Sequence, residues 1–326
     1  MKSFQNQELL SALKGANSLF LCTHIMPDGD AIGSMLAAGL ILEKLGKRVV
    51  LSCADEVPAR YRFLPGADRI VPPQGLDPAS FDAALSLDAA DGDRVGACAG
   101  ICRQIPLTLQ VDHHGTNPLY AALNEVDASA PAAGVIVARM AQALSVPLDR
   151  DIAVCLYTAI STDTGNFCFS GVDGETFEIM GRLMDTGMDI VAPARQVHLM
   201  RSREYLGLLG RALEGMTFLF GGQATLTRVS ARDFADFNAL PEHSDGIVNY
   251  GLYIPGIRLT VFMDAHLPDQ TKFSIRSIAP VSAQNIAKAL GGGGHIAAAG
   301  CTMNIPADRA LPLMLAEMEK ELKRHA

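Results

Sequence analysis

A doubly wound α/β domain with a largely parallel sheet, joined by a linker helix to a smaller α+β domain, is predicted by three features of this 326-residue sequence. Short apolar runs stop repeatedly at an acid or a histidine: residues 18–23 at His24, 83–87 at Asp88 and 107–111 at Asp112. Segments with helical spacing alternate with those runs, the pattern that builds a parallel sheet covered by helices. From about residue 187 the rhythm changes, and closely spaced strand-like segments follow a long helical stretch. The chain is longer than one compact core usually organises, and a hydrophobic content of 49% is enough to form two.

Residues 1–15 read as an amphipathic helix, and 18–23 as a strand that delivers His24 to its end. Pro27 and Gly29 punctuate the turn that follows. A helix over 31–45 is closed by Gly46, and 48–53 forms the next strand, which completes a β-loop-α-β unit. Residues 83–87 and 107–111 are further strands, each ending in an acid. Helices are predicted near 132–144, 150–160 and 174–186, with Asp163 following the second of them. These elements place the first domain at 1–190. A linker helix is assigned to 191–216, with 197–216 reading as one long helix, and the second domain to 217–326. Strands at 217–221, 224–229, 257–264 and 271–277 and helices near 283–290 and 307–324 make up that domain.

Composition narrows the classes of function. A formal charge of −8 opposes broad binding of a phosphate backbone, which needs many Lys and Arg contacts, so a short substrate is favoured over a long duplex. Aromatic residues make up 6% and Trp is absent, which argues against capture of nucleic acid mainly on an aromatic platform. The seven cysteines stand singly at 22, 53, 98, 102, 155, 168 and 301 with no Cys-x-x-Cys pair, so a zinc ribbon is unsupported. Their odd number fits small core thiols in a reducing cytoplasm. The amino terminus lacks the apolar block of a signal peptide, and no uncharged stretch is long enough for a bilayer, so a membrane partner is not expected.

His24-Ile25-Met26-Pro27-Asp28-Gly29-Asp30, Asp88, Asp112-His113-His114 and Asp163 read together as one dinuclear metal site. Strands that stop at carboxylates and imidazoles set those groups along one rim of the sheet, where two divalent cations can be held close together. That arrangement suits phosphoester hydrolysis. Taken singly, each acid is as well explained as a loop or helix-cap residue and each histidine as a satisfied surface group. In the second domain, Gly291-Gly292-Gly293-Gly294-His295 is the most unusual feature. Backbone can approach a ligand closely there, consecutive N–H groups can cradle a phosphate, and His295 adds a directional donor. A flexible surface loop is the commoner meaning of a glycine run.

The ordered motifs resemble those of the DHH phosphoesterases: His24-x-x-Pro27-Asp28-Gly29-Asp30-Ala31-Ile32-Gly33-Ser34, Asp88, Asp112-His113-His114 and Ser161-Thr162-Asp163-Thr164-Gly165. The glycine run with His295 resembles the DHHA1 domain, so the resemblance covers almost the whole chain. Within this superfamily the chain looks most like the NrnA-type oligoribonucleases. The resemblance implies a cytoplasmic enzyme that degrades very short RNA and can also remove the 3′-phosphate of adenosine 3′,5′-bisphosphate. It implies two divalent cations, Mn²⁺ preferred, with Mg²⁺ or Co²⁺ as alternatives. Short oligoribonucleotides, linear dinucleotides and adenosine 3′,5′-bisphosphate are the expected ligands, and a homodimer is compatible with the pattern.

Carried over motif by motif, the resemblance gives His24 and Asp28 to one cation and Asp30, His113 and Asp163 to the other, with Asp88 bridging. His114 is expected to face the scissile phosphate as a donor, and Asp112 to orient a ligand histidine. Arg276 and Ser277, on a strand resembling one that faces the family's cleft, and Gly292, Gly293, Gly294 and His295 are the expected substrate contacts. Arg276 reads almost equally well as a surface ion pair. Asn249 and Tyr250 resemble another family segment, with a core or turn role at least as natural, while Arg201 and Arg203 read as solvated charges. One departure stands out. Many relatives carry a basic residue and a Ser-Asn-Thr-Thr-like run after the segment ending at Phe167, where this chain has Cys168-Phe169-Ser170-Gly171. A phosphodiesterase for linear pApA or pGpG is chemically almost the same enzyme. A non-catalytic nucleotide sensor or RNA-binding protein is the reading of another class, and the acidic charge and intact ligand set oppose it.

Overall fold

Residues 1–169 and 171–325 are described by the computed structural model, and they form two units that divide between Met200 and Arg201. In the first unit, strands β1 (Ser18–Cys22), β2 (Arg48–Ser52), β3 (Ala83–Leu87), β4 (Thr108–Asp112) and β5 (Leu123–Val126) form one sheet in the order β2-β1-β3-β4-β5. Every pairing is parallel. All carboxyl ends therefore lie along one edge, and the strand order reverses between β1 and β3, the place where open α/β sheets form a crevice. β3 is buried along its whole length, which explains its unbroken apolar run.

Helices α1 (Gln7–Gly15), α2 (Gly29–Lys44), α3 (Cys98–Cys102), α4 (Ala133–Ala143), α5 (Arg150–Asp163), α6 (Gly174–Asp185) and α7 (Val191–Ala194) complete the unit. α2 is apolar nearly all round because it lies inside the unit, in the core built by Leu19, Leu21, Met35, Leu36, Ile136 and Ile160. Two glycines allow α2 to meet α5. A Cβ on Gly33 would lie 2.5 Å from the Cys155 carbonyl oxygen, and one on Gly29 would collide with the Thr162 side chain. The close approach at Gly29 brings the start of α2 to the end of α5.

The continuous linker helix expected over 191–216 is interrupted. α7 passes into a π-helical turn, Arg195–Leu199, which is closed by the Met200 N–H donating to Arg195 O at 2.8 Å. Met200 is extended, and Ser202 begins α8 (Arg203–Glu214) by accepting the Tyr205 N–H at 3.1 Å. A serine hydroxyl that satisfies an orphan N–H starts a new helix in place of continuing the old one.

The second unit adds β6 (Thr217–Leu219), β7 (Ala224–Ser230), β8 (Leu259–Leu267), β9 (Gln270–Ser277), β10 (Gly293–Gly294) and β11 (Ala298–Met303) in the order β10-β11-β9-β8-β7-β6. Only β7 and β8 pair in parallel. Helices α9 (Ala231–Asp236), α10 (Ala283–Ala289) and α11 (Ala307–Lys323) accompany the sheet. Leu226, Val261, Phe273 and Ile275 pack with Met314 and Met318 on one side, and Phe262 and Val229 pack with Leu208 and Val248 on the other. β11 was expected only as a run of small residues. Alanine and glycine carry little strand preference, so pairing with β9 decides its conformation. Among the described residues, no helix is long and apolar enough to cross a membrane.

Candidate metal centre

Each group at the carboxyl edge is fixed by the element that ends or begins there. His24 follows β1, and its Nδ1 lies 2.7 Å from Ile25 O. A carbonyl can only accept, so Nδ1 carries a hydrogen there and Nε2 is the nitrogen that faces the acids. That Nε2 is 3.8 Å from Asp28 Oδ1 and 3.7 Å from Asp88 Oδ2. Asp28 caps α2 by accepting the N–H groups of Asp30 and Ala31, both at 3.0 Å. Asp30, one residue into that helix and buried, accepts from Ser34 Oγ at 2.8 Å and from the N–H groups of Ala133 and Gly134 at 2.6 and 2.9 Å.

His113 follows β4 in the same fashion. Its Nδ1 donates to Ala130 O at 3.2 Å, and its Nε2 faces Asp163 Oδ2 at 3.3 Å, Asp88 Oδ1 at 3.5 Å and Asp30 Oδ2 at 3.9 Å. Asp163 is the last residue of α5, not a residue beyond the helix. His24, Asp28 and Asp88 thus each place one donor atom within 4.8 Å of the others, and Asp30, His113 and Asp163 do the same. Asp88 also groups with His113 and His114. It stands between the two histidines in a left-handed backbone conformation, φ 51°, which is uncommon for any residue with a side chain.

Asp112, expected to orient a ligand histidine, holds His114 and not His113. Its Oδ1 accepts from His114 Nδ1 at 2.7 Å and its Oδ2 from the Asn117 amide, whereas His113 is oriented by the Ala130 carbonyl. Asp112 is the last residue of β4, so its side chain meets the turn that follows instead of the first imidazole.

The electrostatics follow from crowding four carboxylates together, Asp30 and Asp88 buried, Asp163 half-buried and Asp28 exposed. Burial and repulsion from Asp88 and Asp163 raise the Asp30 carboxyl well above its usual range. Burial, with the charges of Asp28 and Asp88, pushes Asp163 up to about 7. Burial disfavours a charged His24 ring, but the Asp28 and Asp88 carboxylates 3.8 and 3.7 Å from its Nε2 outweigh it and push that ring up to about 11. His113 is raised too, because Asp88, Asp163 and Asp30 overcome its burial. Burial would raise Asp88, yet His113 and His24 hold it well below the usual carboxylate range. Without cations the cluster must take protons as its countercharge; divalent ions can replace them.

The residues present fit such ions. Asp88 Oδ1 is buried and has no hydrogen-bond partner among the described residues, an arrangement that is costly unless something else binds the oxygen. Hard carboxylate oxygens combined with imidazole nitrogens, and no thiolate, form a donor set for a divalent cation. A His/Asp cluster able to coordinate divalent cations is present.

The candidate substrate residues lie in the second unit. The glycine run is not a loose loop: Gly293 and Gly294 pair with Gly300 and Ala299, and His295 N–H donates to Ala298 O at 2.7 Å. Gly291 and Gly292 N–H groups go to Lys288 O and Ala287 O at 3.2 and 2.8 Å. The expected cradle of consecutive free N–H groups is therefore not formed, although the His295 side chain and Gly293 and Gly294 are exposed. Glycine is needed at 292, where a Cβ would strike Gly300 O. Arg276 is half-buried on β9 opposite Ala298, and its Nη1 donates to Ile275 O at 3.0 Å. Ser277 is corrected as a contact. It is buried, accepts the Ala283 N–H at 3.0 Å and lies 2.8 Å from Val281 O, so its hydroxyl fastens the turn before α10. Asn249 and Tyr250 lie on a 3₁₀ segment, Ile247–Tyr253. The Arg201 guanidinium sits 5.3 Å from the centroid of the Tyr205 ring, and Arg203 is the first residue of α8.

Gly165, Asn166 and Phe167, which precede the departure from the family pattern, are all left-handed; within it Cys168 and Phe169 are exposed, and Ser170 lies outside the described residues. Two neighbours of the cluster escaped the sequence reading. Arg94 Nη2 comes within 3.5 Å of His24 Nδ1, and His198 Nε2 lies 3.0 Å from Ser161 Oγ, two residues before Asp163. His198 sits on the π-helical turn, a distortion with no signature in local composition.

Carboxylates and imidazoles gathered at the switch point of a parallel sheet define a metal-dependent phosphoesterase. Residues 18–160 match the DHH family N-terminal domain and residues 221–324 match the DHHA1 domain. The chain belongs to the DHH/DHHA1 phosphoesterase family. It is 34% identical over 319 residues to the bifunctional oligoribonuclease and PAP phosphatase NrnA of Thermus thermophilus, covering 97% of this chain and 93% of that one. The NrnA of Bacillus subtilis is 24% identical, with 98% and 99% of the two chains covered. An exopolyphosphatase-related protein from Bacteroides fragilis shares the fold, with a TM-score of 0.91 at 22% identity over 98% of each chain.

Proposed function

We propose that this protein hydrolyses very short oligoribonucleotides to 5′-mononucleotides and also removes the 3′-phosphate from adenosine 3′,5′-bisphosphate, with Mn²⁺ as its preferred cation. The observation that carries the reading is Asp88, a buried carboxylate whose two oxygens face His24 and His113 and whose Oδ1 accepts no hydrogen bond among the described residues. We assign His24 and Asp28 to one cation, Asp30, His113 and Asp163 to the other, and Asp88 to both. Mixed carboxylate and imidazole donors favour Mn²⁺ over Mg²⁺, which prefers oxygen alone. The similarity to proteins named for both activities supports the choice of substrates.

Both reactions break the same bond, between phosphorus and the 3′ oxygen, so one site serves both. When bound, the cations supply an acidified water and positive charge opposite the phosphate. The protein positions the rest. Asp112 accepts from Nδ1 of His114 and so sets the ring, whose proposed role is to donate to a phosphate oxygen or to the departing 3′ oxygen. Burial opposes a charged His114, but the Asp112 hydrogen bond raises its proton affinity, as a donor requires. Arg276 and His295 would hold a second phosphate or the terminal nucleotide. Linear pApA and pGpG present the same bond and are included in this reading. A cytoplasmic location agrees with seven cysteines that are all free thiols.

The test incubates the protein and Mn²⁺ with a 5′-phosphorylated dinucleotide, a pentanucleotide, a long single-stranded RNA and adenosine 3′,5′-bisphosphate, with chelator and Asp88→Asn controls. Metal-dependent release of 5′-mononucleotides from the short RNAs, and of AMP from the bisphosphate, is expected. Equal turnover of the long RNA, or products bearing 3′-phosphates, would overturn the reading.

A further inference from the structure

Three thiols lie together in the first unit and take no part in the proposed reaction. Cys22 ends β1, and Cys98 and Cys102 begin and end α3, one helical turn apart and so on one face of it. Cys22 Sγ is 3.7 Å from Cys102 Sγ, and Cys98 Sγ is 3.7 Å from Ser52 Oγ. Cys22 and Cys98 are fully buried among Phe20, Phe81, Ile101 and Ile105, whereas Cys102 is only half-buried. Of the three, Cys102 is thus the thiol that a small solute reaches first.

We propose that Cys102 and Cys22 form an oxidative modification site that takes a hydroperoxide, with Cys102 as the attacked thiol and Cys22 as the resolving one. In the first step the Cys102 sulfur attacks one peroxide oxygen and the O–O bond breaks. Sulfur is oxidised by two electrons to the sulfenic acid, and the other oxygen leaves as water. In the second step the Cys22 sulfur attacks the Cys102 sulfur and the S–O bond breaks. The departing hydroxide takes the Cys22 proton, so two thiols and one hydrogen peroxide become one disulfide and two waters.

The sulfurs must close from 3.7 Å to the disulfide length of about 2.0 Å. That movement acts on the turn holding His24 from two sides. Cys22 precedes His24 by two residues. The segment entering α3 is tied to the same turn, because Arg94 O accepts the Ile25 N–H at 2.7 Å and Gly96 packs against Ile25 so closely that a Cβ would collide with it. Drawing α3 onto β1 therefore displaces His24 and weakens cation binding at the group it shares with Asp28 and Asp88. This consequence rests on the ligand assignment above; the cross-link itself does not.

The experiment treats the full chain, as Cys168→Ser to remove the exposed thiol, with hydrogen peroxide, alkylates it and maps peptides without reduction. A single new cross-link between the Cys22 and Cys102 peptides is expected, reversed by dithiothreitol and absent from Cys102→Ser and Cys102→Ala variants. Mn²⁺ titration by calorimetry should show about a tenfold loss of affinity at one of two sites, the scale seen when groups supporting a ligand are disturbed. Recovery of both cysteines as alkylated thiols overturns the site. A cross-linked protein with unchanged Mn²⁺ binding overturns its connection to His24. Both readouts decide the matter even if no nucleotide is turned over.

Discussion

In the first unit each candidate ligand is held by the end of a strand, a helix cap or the end of a helix, while in the second unit the candidate substrate residues sit on a two-residue strand, an exposed turn and one half-buried arginine. The difference is one of position and charge. The metal cluster collects groups that repel one another, and the fold keeps them together through buried hydrogen bonds such as those from Ala133, Gly134 and Ser34 to Asp30. The glycine hairpin has already satisfied most of its own backbone, so side chains must carry whatever recognition it offers. Changes in the first unit should therefore act on turnover, and changes in the second on capture.

The largest effect is expected from Asp88→Asn. It preserves shape and removes the charge that both histidines face. Turnover should fall on the order of a thousandfold or more, equivalent to several kcal/mol, with the melting temperature little changed. Near-normal Mn²⁺-dependent turnover would remove Asp88 from the site. Asp112→Asn should come next, about a hundredfold in kcat, because an amide cannot support a charged His114. If kcat holds and only the affinity for Mn²⁺ drops, Asp112 serves a ligand after all.

The cluster also makes a prediction about pH. Protons on His24, which is pushed up to about 11, and on Asp163, pushed up to about 7, must leave before these groups can bind a cation. Mn²⁺ affinity should accordingly weaken as pH falls from about 8 to 6, and binding at neutral pH should release at least one proton. Titration calorimetry in buffers of different ionisation enthalpy measures that release directly, and none would contradict the charge balance described here. The sign for folding is the opposite. A carboxyl raised in the folded state, as Asp163 is, contributes stability at low pH that is lost as pH rises through 7, so the cation-free protein should melt earlier at pH 8 than at pH 6 if Asp163 dominates.

Much of the first unit can be read from sequence because a parallel sheet writes its functional edge into strand ends. His24, Asp88 and His113 each follow an apolar run, and the topology brings them together without further information. The partner of Asp112 could not be read, since adjacent residues in a turn compete for one carboxylate and only the backbone path decides between them. The requirement for Gly29 is equally hidden, because it lies in Thr162 of another helix. In the second unit, β10 and β11 are glycine and alanine, residues whose conformation is set by pairing, and Ser277 looked like a cleft residue until its hydroxyl was found against buried backbone. The interrupted linker depended on one serine that looked like an ordinary helix residue.

Ser277 and Arg276 offer a sharper division because they are neighbours on one strand with opposite side-chain environments. Arg276→Gln should raise KM for a short substrate about tenfold with little change in kcat, the loss of one charge-assisted contact. Ser277→Ala should leave KM alone and lower stability by about 1–3 kcal/mol, since the buried bonds of its hydroxyl to Val281 O and from the Ala283 N–H are both lost, while that N–H keeps Ile296 O at 2.7 Å. A KM effect from Ser277→Ala without loss of stability would return it to the substrate.

The smallest effect is expected at His198, whose Nε2 lies 3.0 Å from Ser161 Oγ and so joins the π-helical turn to α5. One such bond is worth about 0.5–1.5 kcal/mol, so His198→Ala should lower stability by that amount in urea unfolding. Ser161 shares its helix with Asp163 two residues further on, and if the bond also holds the end of α5 in place, Mn²⁺ affinity should fall a few-fold alongside. His198→Gln, which can still reach the hydroxyl with an amide, should restore both. Recovery of stability without recovery of Mn²⁺ affinity would separate the turn from the metal centre and confine His198 to packing, extending to this residue the same division between holding the fold and serving the site that distinguishes Ser277 from Arg276.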